Sequence, residues 1–376
     1  MRIEPFTFQP ELLDLFVRFG YGHYQGDKNW IPPFEDELRH QLSPESVFCA
    51  RPENAHRHFL ALDHGHVLGR VTAFDNSDLK DDQGTRLGAL GYFEVVPDFA
   101  VSKKLIGAAT DWLRHERRLT RVWGPLNFDI WHGYRFMTRG FGEPLFVGEP
   151  YNKPYYPQFF ERIGGRVRAE WDSVEITGRE TLSRMIERGR KRYELLLERG
   201  YHFVPFDPSD WDREVAKLHD IICRSFSRFP GFHAITQTEF ARLFAGGRQS
   251  LVPELFAWAH DESGKLAGFA AGFLELSDAV RAMQGRRNVI SKLRFLGRRR
   301  HTDCINFYLG AITPEEQARG TGLGRAGFYC VINQSLAAGY EKVLMALRLV
   351  GNPSRGLTAR FAPEPQREYA LYELDL

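Results

Sequence analysis

The sequence predicts an α/β protein with mixed sheets, built from two similar halves. Residues 59–74 (FLALDHGHVLGRVTAF) and 256–273 (FAWAHDESGKLAGFAAGF) each alternate apolar and polar residues on both sides of a Gly-bearing turn, which marks a β-hairpin. Each hairpin is followed by an apolar strand, a helical stretch and another apolar strand. The two copies lie about 200 residues apart, a tandem arrangement of α/β units.

In the first half the strand near Leu90 to Val95 leads to a helix over 101–115, where Leu105, Ile106, Ala109 and Leu113 share a face, and then to a strand at 121–124. Residues 155–176 read as a short aromatic helix, the turn Gly164-Gly165 and a strand. Beyond Gly178, residues 180–199 form a charged helix with Leu182, Met185, Ile186, Tyr193 and Leu196 at helical spacing. The halves therefore divide into 1–177 and 178–376, and with no low-complexity linker between them they are expected to pack closely. In the second half the pattern returns as a strand at 304–312, a helix over 322–338 and a strand at 342–347.

Composition narrows the class. The 376 residues are 43% hydrophobic and 26% charged, enough to bury a sizeable core, which excludes disorder, collagen and coiled coil. No apolar run reaches the roughly 18 residues of a bilayer span, and no apolar stretch follows the opening Met1-Arg2-Ile3-Glu4-Pro5, so a soluble, cytoplasmic chain is expected. Cys49, Cys223, Cys304 and Cys330 are scattered without CxxC pairs or zinc spacing; neither disulfides nor a metal is expected.

Charge is unevenly placed. Lys+Arg 50 nearly balances Asp+Glu 48, yet Arg281, Arg286, Arg287, Lys292, Arg294, Arg298, Arg299 and Arg300 fall in one strip without an acid. The remainder is mildly acidic, which argues for a local anionic partner and against DNA. Val289, Ile290, Leu293, Phe295 and Leu296 interleave with these bases. A peripheral contact with the inner membrane face or an acyl-carrier partner through Arg281–Arg300 is therefore expected, with a solvated insertion loop as the plain alternative.

The chemistry is concentrated after the strand ending at Ile312. There Gln317-Ala318-Arg319-Gly320-Thr321-Gly322-Leu323-Gly324 enters a helix. Glycines at alternate positions leave backbone N–H groups open to phosphate oxygens at the positive end of the helix dipole. A Walker loop would need Gly-Lys-Ser/Thr where Gly324-Arg325-Ala326 stands, and a dinucleotide fingerprint would need G-x-G-x-x-G. A tight turn before a helix is the plain alternative.

This loop resembles the pyrophosphate motif of the GNAT superfamily of acyl-CoA-dependent N-acyltransferases, Gln/Arg-x-x-Gly-x-Gly/Ala after the fourth strand. Gln317, Gly320 and Gly322 fill it, Thr321 lies within it, and Arg319 and Gly324 are common companions. The family's frequent Asn beyond the fifth strand corresponds to Asn352. The first half resembles the same fold in Gly69-Arg70-Val71, Gly91-Tyr92-Phe93-Glu94, Gly124-Pro125 and 152–164, but its phosphate-loop position reads Val96-Pro97-Asp98-Phe99-Ala100-Val101-Ser102, without glycine and with an acid. Together the halves resemble tandem-GNAT bacterial proteins, some implicated in joining long acyl chains to sphingoid-type amines.

The resemblance implies a degenerate first domain and a second domain that binds acetyl-CoA or a longer acyl-CoA as substrate, with a small-molecule or lipid amine as acceptor. It implies direct attack of the amine on the thioester, with the carbonyl held by backbone groups around Leu309, Ala311 and Ile312. For the base the sequence offers Glu275, His233 and Glu239, or an ordered water. Where the family often has a Tyr to protonate the thiolate this chain has Ala359, leaving Tyr308, Tyr369 and Tyr372 as substitutes. Thiol catalysis by Cys304 or Cys330 has no visible His partner. Two other readings are a non-catalytic fold that binds acyl-CoA or a partner, and an aminoacyl-tRNA-dependent transferase.

Overall fold

The computed structural model describes residues 1–249 and 251–376. The first half supplies β1 (Arg2–Phe6), α1 (Pro10–His23), α2 (Glu35–Gln41), the hairpin of β2 (Ala55–Asp63) and β3 (His66–Lys80), β4 (Arg86–Val95), α3 (Phe99–His115), β5 (Arg121–Gly124), β6 (Phe136–Arg139), α4 (Tyr155–Arg162) and β7 (Arg166–Thr177). The second supplies α5 (Arg179–Glu198), β8 (His202–Val204), α6 (Trp211–Ser225), α7 (Gln237–Phe244), the hairpin of β9 (Phe256–His260) and β10 (Leu266–Leu274), α8 (Ser277–Ala282), α9 (Val289–Arg299), β11 (Cys304–Ile312), α10 (Pro314–Arg319), α11 (Leu323–Ala337), β12 (Lys342–Leu349) and β13 (Arg367–Asp375). Both expected hairpins form, and the strand-helix-strand units follow where the apolar pattern puts them. The basic strip, which the sequence left unassigned, becomes α8, a turn and α9.

The strands join in one mixed sheet ordered β1-β2-β3-β4-β5-β13-β7-β12-β11-β10-β9-β8, with β6 also paired to β13. The halves do more than pack closely: each lends its last strand to the other. β13, from the chain's end, lies between β5 (Tyr372 opposite Gly124) and β7 (Tyr369 opposite Trp171), while β7 pairs β12 (Thr177 opposite Lys342). Alternation explains why both strands tolerate a central place. Along β13, Tyr369 and Leu371 pack on one face of the sheet and Ala370, Tyr372 and Leu374 on the other, all buried. The exchange also covers edges that each half alone would leave open.

Helices cover both faces. In the first half α3 and α4 close a core around Leu105, Trp112, Phe136 and Phe160, and α1 and α2 close the opposite one around Phe16, Phe74 and Trp123. In the second half α6 and α7 pack on β9 and β10 around Trp258 and Phe240. α5 lies against α11 through Gly189, where a Cβ would sit 2.6 Å from the Cβ of Tyr329, so only glycine allows this approach. Across the exchange Asp172 of β7 binds Arg348 of β12 and Arg355 beyond it, each at 2.6 Å.

Candidate active site

The site begins with two parallel strands that separate. β11 and β12 pair from Cys304–Lys342 to Phe307–Met345 and no further. On its other side β11 carries a bulge: between the pairs Asn306–Phe273 and Leu309–Ala271 it has Phe307 and Tyr308 against the single Gly272. Such an extra residue bends its strand. β12 breaks its register with β7 between Met345 and Arg348, where Leu347 adopts φ 53°. The edge of β11 from Tyr308 to Ile312 is thus left without a strand partner among the described residues, an exposed row of backbone donors and acceptors of which Gln317 takes only the last carbonyl.

At the end of that edge stands the glycine loop. Residues 314–319 are the short helix α10 where a loop was expected, and Gly320 (φ 62°) and Gly322 (φ 76°) are both left-handed, a conformation that costs other residues. Gly322 caps α11, so the N–H groups of Leu323 and Gly324 precede any carbonyl the helix offers them. The loop is held from below by buried Glu316, which accepts from Tyr201 (3.0 Å) and Thr321 (3.1 Å) and pairs with Arg319 (2.8 Å). Gln317 turns back to donate to the carbonyl of Ile312 at 2.7 Å. Among the predicted residues, Leu309, Ala311 and Ile312 line the strand and Gln317, Arg319, Gly320, Thr321, Gly322 and Gly324 build the loop, while exposed Asn352 caps the turn at 353–357.

Cations surround this loop. Arg192 of α5 lies against Gly322, within 2.9 Å of where its Cβ would be. Beside it a cavity of 300 Å³ between α5, α11 and residues 356–361 is lined by Arg188, Arg325 and Arg360. No carboxylate pairs with these four arginines among the described residues. Phosphate groups suit this donor set. Arg188 and Arg192 carry no sequence signal of this role, because a charged helix reads as a solvated face until its neighbours are known.

The first half places a wall beside the opening. Its segment 145–149 crosses to the second half: Phe146 packs on Cys304, Leu344 and Ala346, and the N–H of Val147 donates to Glu275 at 3.3 Å. A Cβ on Gly148 would lie 3.8 Å from the hydroxyl of Tyr308, which is itself exposed at the bulge. Next in sequence, Glu149 has a fully enclosed side chain that accepts from Tyr369 and from the N–H of Phe146, with Arg367 Nε at 3.3 Å. Burial pushes its carboxyl up to about 7. Burial also raises Glu275, whose other oxygen accepts from the Ser277 N–H at 2.7 Å.

The other predicted groups are held elsewhere. His233 Nε2 lies 3.5 Å from Asp129, which also accepts from His132 at 2.7 Å, so the first half's 125–135 segment and the second half meet in one buried polar cluster. Against the burial that would raise it, the two histidines hold the Asp129 carboxyl well below the usual range. Glu239 closes a capping box with Thr236 at the start of α7, and Tyr372 donates to Glu161 beneath α4. Burial pushes the Cys304 and Cys330 thiols up to about 12, so neither supplies a thiolate.

The matching place in the first half is filled by the chain itself. β4 and β5 pair only at Gly88–Val122 and Ala89–Trp123, after which Leu126 donates to Leu90 (2.7 Å) and the Asn127 side chain takes the N–H of Tyr92 (2.7 Å). Asp98 caps α3 through Ala100, which closes that helix end to an anion. Alongside lies a cavity of 460 Å³ lined by aromatic residues from Trp30 to Tyr151 and by Arg70, Glu94, Arg135 and Glu149. Among the described residues no helix is long and apolar enough to cross a membrane.

No family model matches the chain. It is similar to protein YghO of Escherichia coli strain K12, 24% identical over 281 residues (73% of this chain, 68% of that protein). It is also 28% identical over 273 residues to the bacterial ceramide synthase of Caulobacter vibrioides (69% and 66%). Among solved structures it matches a tandem GNAT protein from the clavulanic acid biosynthesis pathway with a TM-score of 0.54 at 14% identity, over 100% of this chain and 98% of that one. A GCN5-related N-acetyltransferase from Sphaerobacter thermophilus matches with a TM-score of 0.50 at 12% identity, over 99% and 95%. The chain has the tandem GNAT fold.

Proposed function

We propose that this tandem GNAT fold is an acyl-CoA-dependent N-acyltransferase that works in its second half and takes a long-chain amine from the cavity of its first. The observation that carries the reading is the open edge of β11 above the glycine loop, set against the filled counterpart between β4 and β5. An extended pantetheine arm can pair with the free edge as a missing strand would, while its pyrophosphate meets the N–H groups of Leu323 and Gly324 and the guanidiniums of Arg192 and Arg325. The thioester then lies near the bulge at Tyr308, where a strand N–H polarises its carbonyl.

In this reading Glu149 takes the proton from the ammonium. A carboxyl at about 7 is partly ionised at neutral pH and still basic enough to serve, which suits a general base. The freed amine forms the C–N bond as the C–S bond breaks. The second amine proton leaves on collapse of the adduct, and the thiolate is protonated, with Tyr308 the hydroxyl beside it. The acceptor cavity of 460 Å³ has the size of a small-molecule site, and its aromatic lining suits an alkyl chain. The relative named as a ceramide synthase supports the same acceptor class. The test is a mass-spectrometric screen of acyl-CoAs of increasing length against sphingoid-type and short soluble amines. Amide formation with release of free CoA is expected for the long-chain amines; CoA binding without any product would leave the chain a non-catalytic binder.

A further inference from the structure

Just beyond Arg287, which touches Phe34 and Glu37 of that cavity's lining, the chain forms a helix whose outer face is exposed. Val289, Ile290, Leu293 and Leu296 of α9 are 73, 62, 63 and 54% exposed. Their spacing of i, i+1, i+4 and i+7 puts them on one arc of about 120°. Ser291, buried, and Phe295, half-buried, occupy the opposite face, so the apolar arc points directly away from the protein. Lys292, Arg294 and Arg299 flank it, and Arg298 lies exposed in the last turn.

The helix is firmly set. Asn288 caps it by accepting from the Ser291 N–H (2.9 Å), and the Ser291 hydroxyl donates to the carbonyl of Met283 (3.1 Å). Its base is docked on the first half: the Glu35 N–H donates to Gly285 (3.1 Å), and Arg287 pairs with Asp36 (3.2 Å) and Glu37 and sits 4.1 Å from the Phe34 ring centroid. Phe34 and Glu37 line the 460 Å³ cavity. Of the eight bases in the strip, Arg281 pairs with Asp278 and Arg287 as above, while the other six have no ion pair among the described residues.

We infer that α9 is an interfacial helix that seats the protein on an anionic lipid bilayer, with the mouth of the first-half cavity held beside the lipid. The two halves of the surface argue for the same occupant. Six free cations require an anionic surface, and an apolar arc pointing outward between them requires a medium that is apolar just beneath its charges. An acidic carrier protein would satisfy the cations alone. Delivery of an amphiphilic amine from the bilayer into the cavity rests on the acyltransferase reading; docking itself does not.

Docking is therefore measured without CoA or amine, by cosedimentation with vesicles of phosphatidylcholine alone and with phosphatidylglycerol added. Binding is expected only to the anionic vesicles and weaker in high salt. Leu293→Asp with Leu296→Asp should reduce it about tenfold or more, because a charge replaces apolar contact on the inserted face. Arg298→Ser, Arg299→Ser and Arg300→Ser together should reduce it about a hundredfold, at about fivefold for each base near the surface. Leu197→Asp, at an exposed site on α5, should leave it unchanged. All these positions lie on the surface, so the fold survives. Absence of binding to anionic vesicles, or a full response to salt with none to the two aspartates, would overturn the inference. So would self-association that the two aspartates abolish, since α9 would then cover a second copy.

Discussion

Glu149 owes its acidity to its surroundings. Enclosed between Tyr369, Arg367 and the Phe146 backbone, its carboxyl is raised from 4.5 to about 7 by burial. Glu149→Gln is expected to lower turnover by about a hundredfold to ten-thousandfold and to remove the rise in kcat/KM with pH through about 7. An unchanged pH profile would take the base role from it. Stability should respond too: a carboxyl whose pKa is raised on folding contributes most below its unfolded value, and that contribution is lost as pH climbs through the folded one. Between pH about 4.5 and about 8 the Gln variant should gain about 3 kcal/mol on the parent in denaturant titrations. At the loop, Gly320→Val and Gly322→Val each ask a branched residue to adopt positive φ and crowd the approach of a phosphate. CoA affinity by calorimetry should fall about a hundredfold or more. Arg192→Ala, which leaves the backbone alone, should cost about tenfold.

At the scale of elements, two strand pairs of the same design end differently. β11 bulges away from β12 and leaves its edge open; β4 parts from β5 but meets Asn127 and Leu126. One CoA per chain is therefore expected in titration, and two equivalents would refute the assignment of the first half as a wall. Asn127→Ala should leave CoA affinity unchanged while lowering stability by about 1–3 kcal/mol, because the Tyr92 N–H loses its acceptor.

The whole molecule is tied by the exchange of β7 and β13. Each stands between two strands of the other half, so neither half keeps a complete sheet without the other. Calorimetry of the intact chain should show one cooperative transition. A chain ending at Pro365, without β13, should lose the tertiary signal of both halves; retention of a folded first half would show that the exchange is dispensable.

Local order was legible in the residues themselves. Alternation with a Gly turn marked both hairpins, a 3.6-residue apolar period marked α3 and α5, and the glycine spacing marked the loop, because each of these signals is contained in about twenty consecutive residues or fewer. Val96–Ser102 likewise announced a helix start unsuited to phosphate, where Asp98 now caps α3. What joins distant segments was not written there. The sequence implied two neighbouring sheets, whereas burial on both faces of REYALYELD let β13 enter the first half's side of a single sheet. Glu149 looked like any loop acid until Arg367 and Tyr369, more than two hundred residues away, enclosed it. The basic strip was visible from its charges alone, but which of its faces turns outward was decided by Ser291 and Phe295 docking inward. Hydrophobic periodicity determines elements, and desolvation by chain neighbours remote in sequence determines the chemistry they hold.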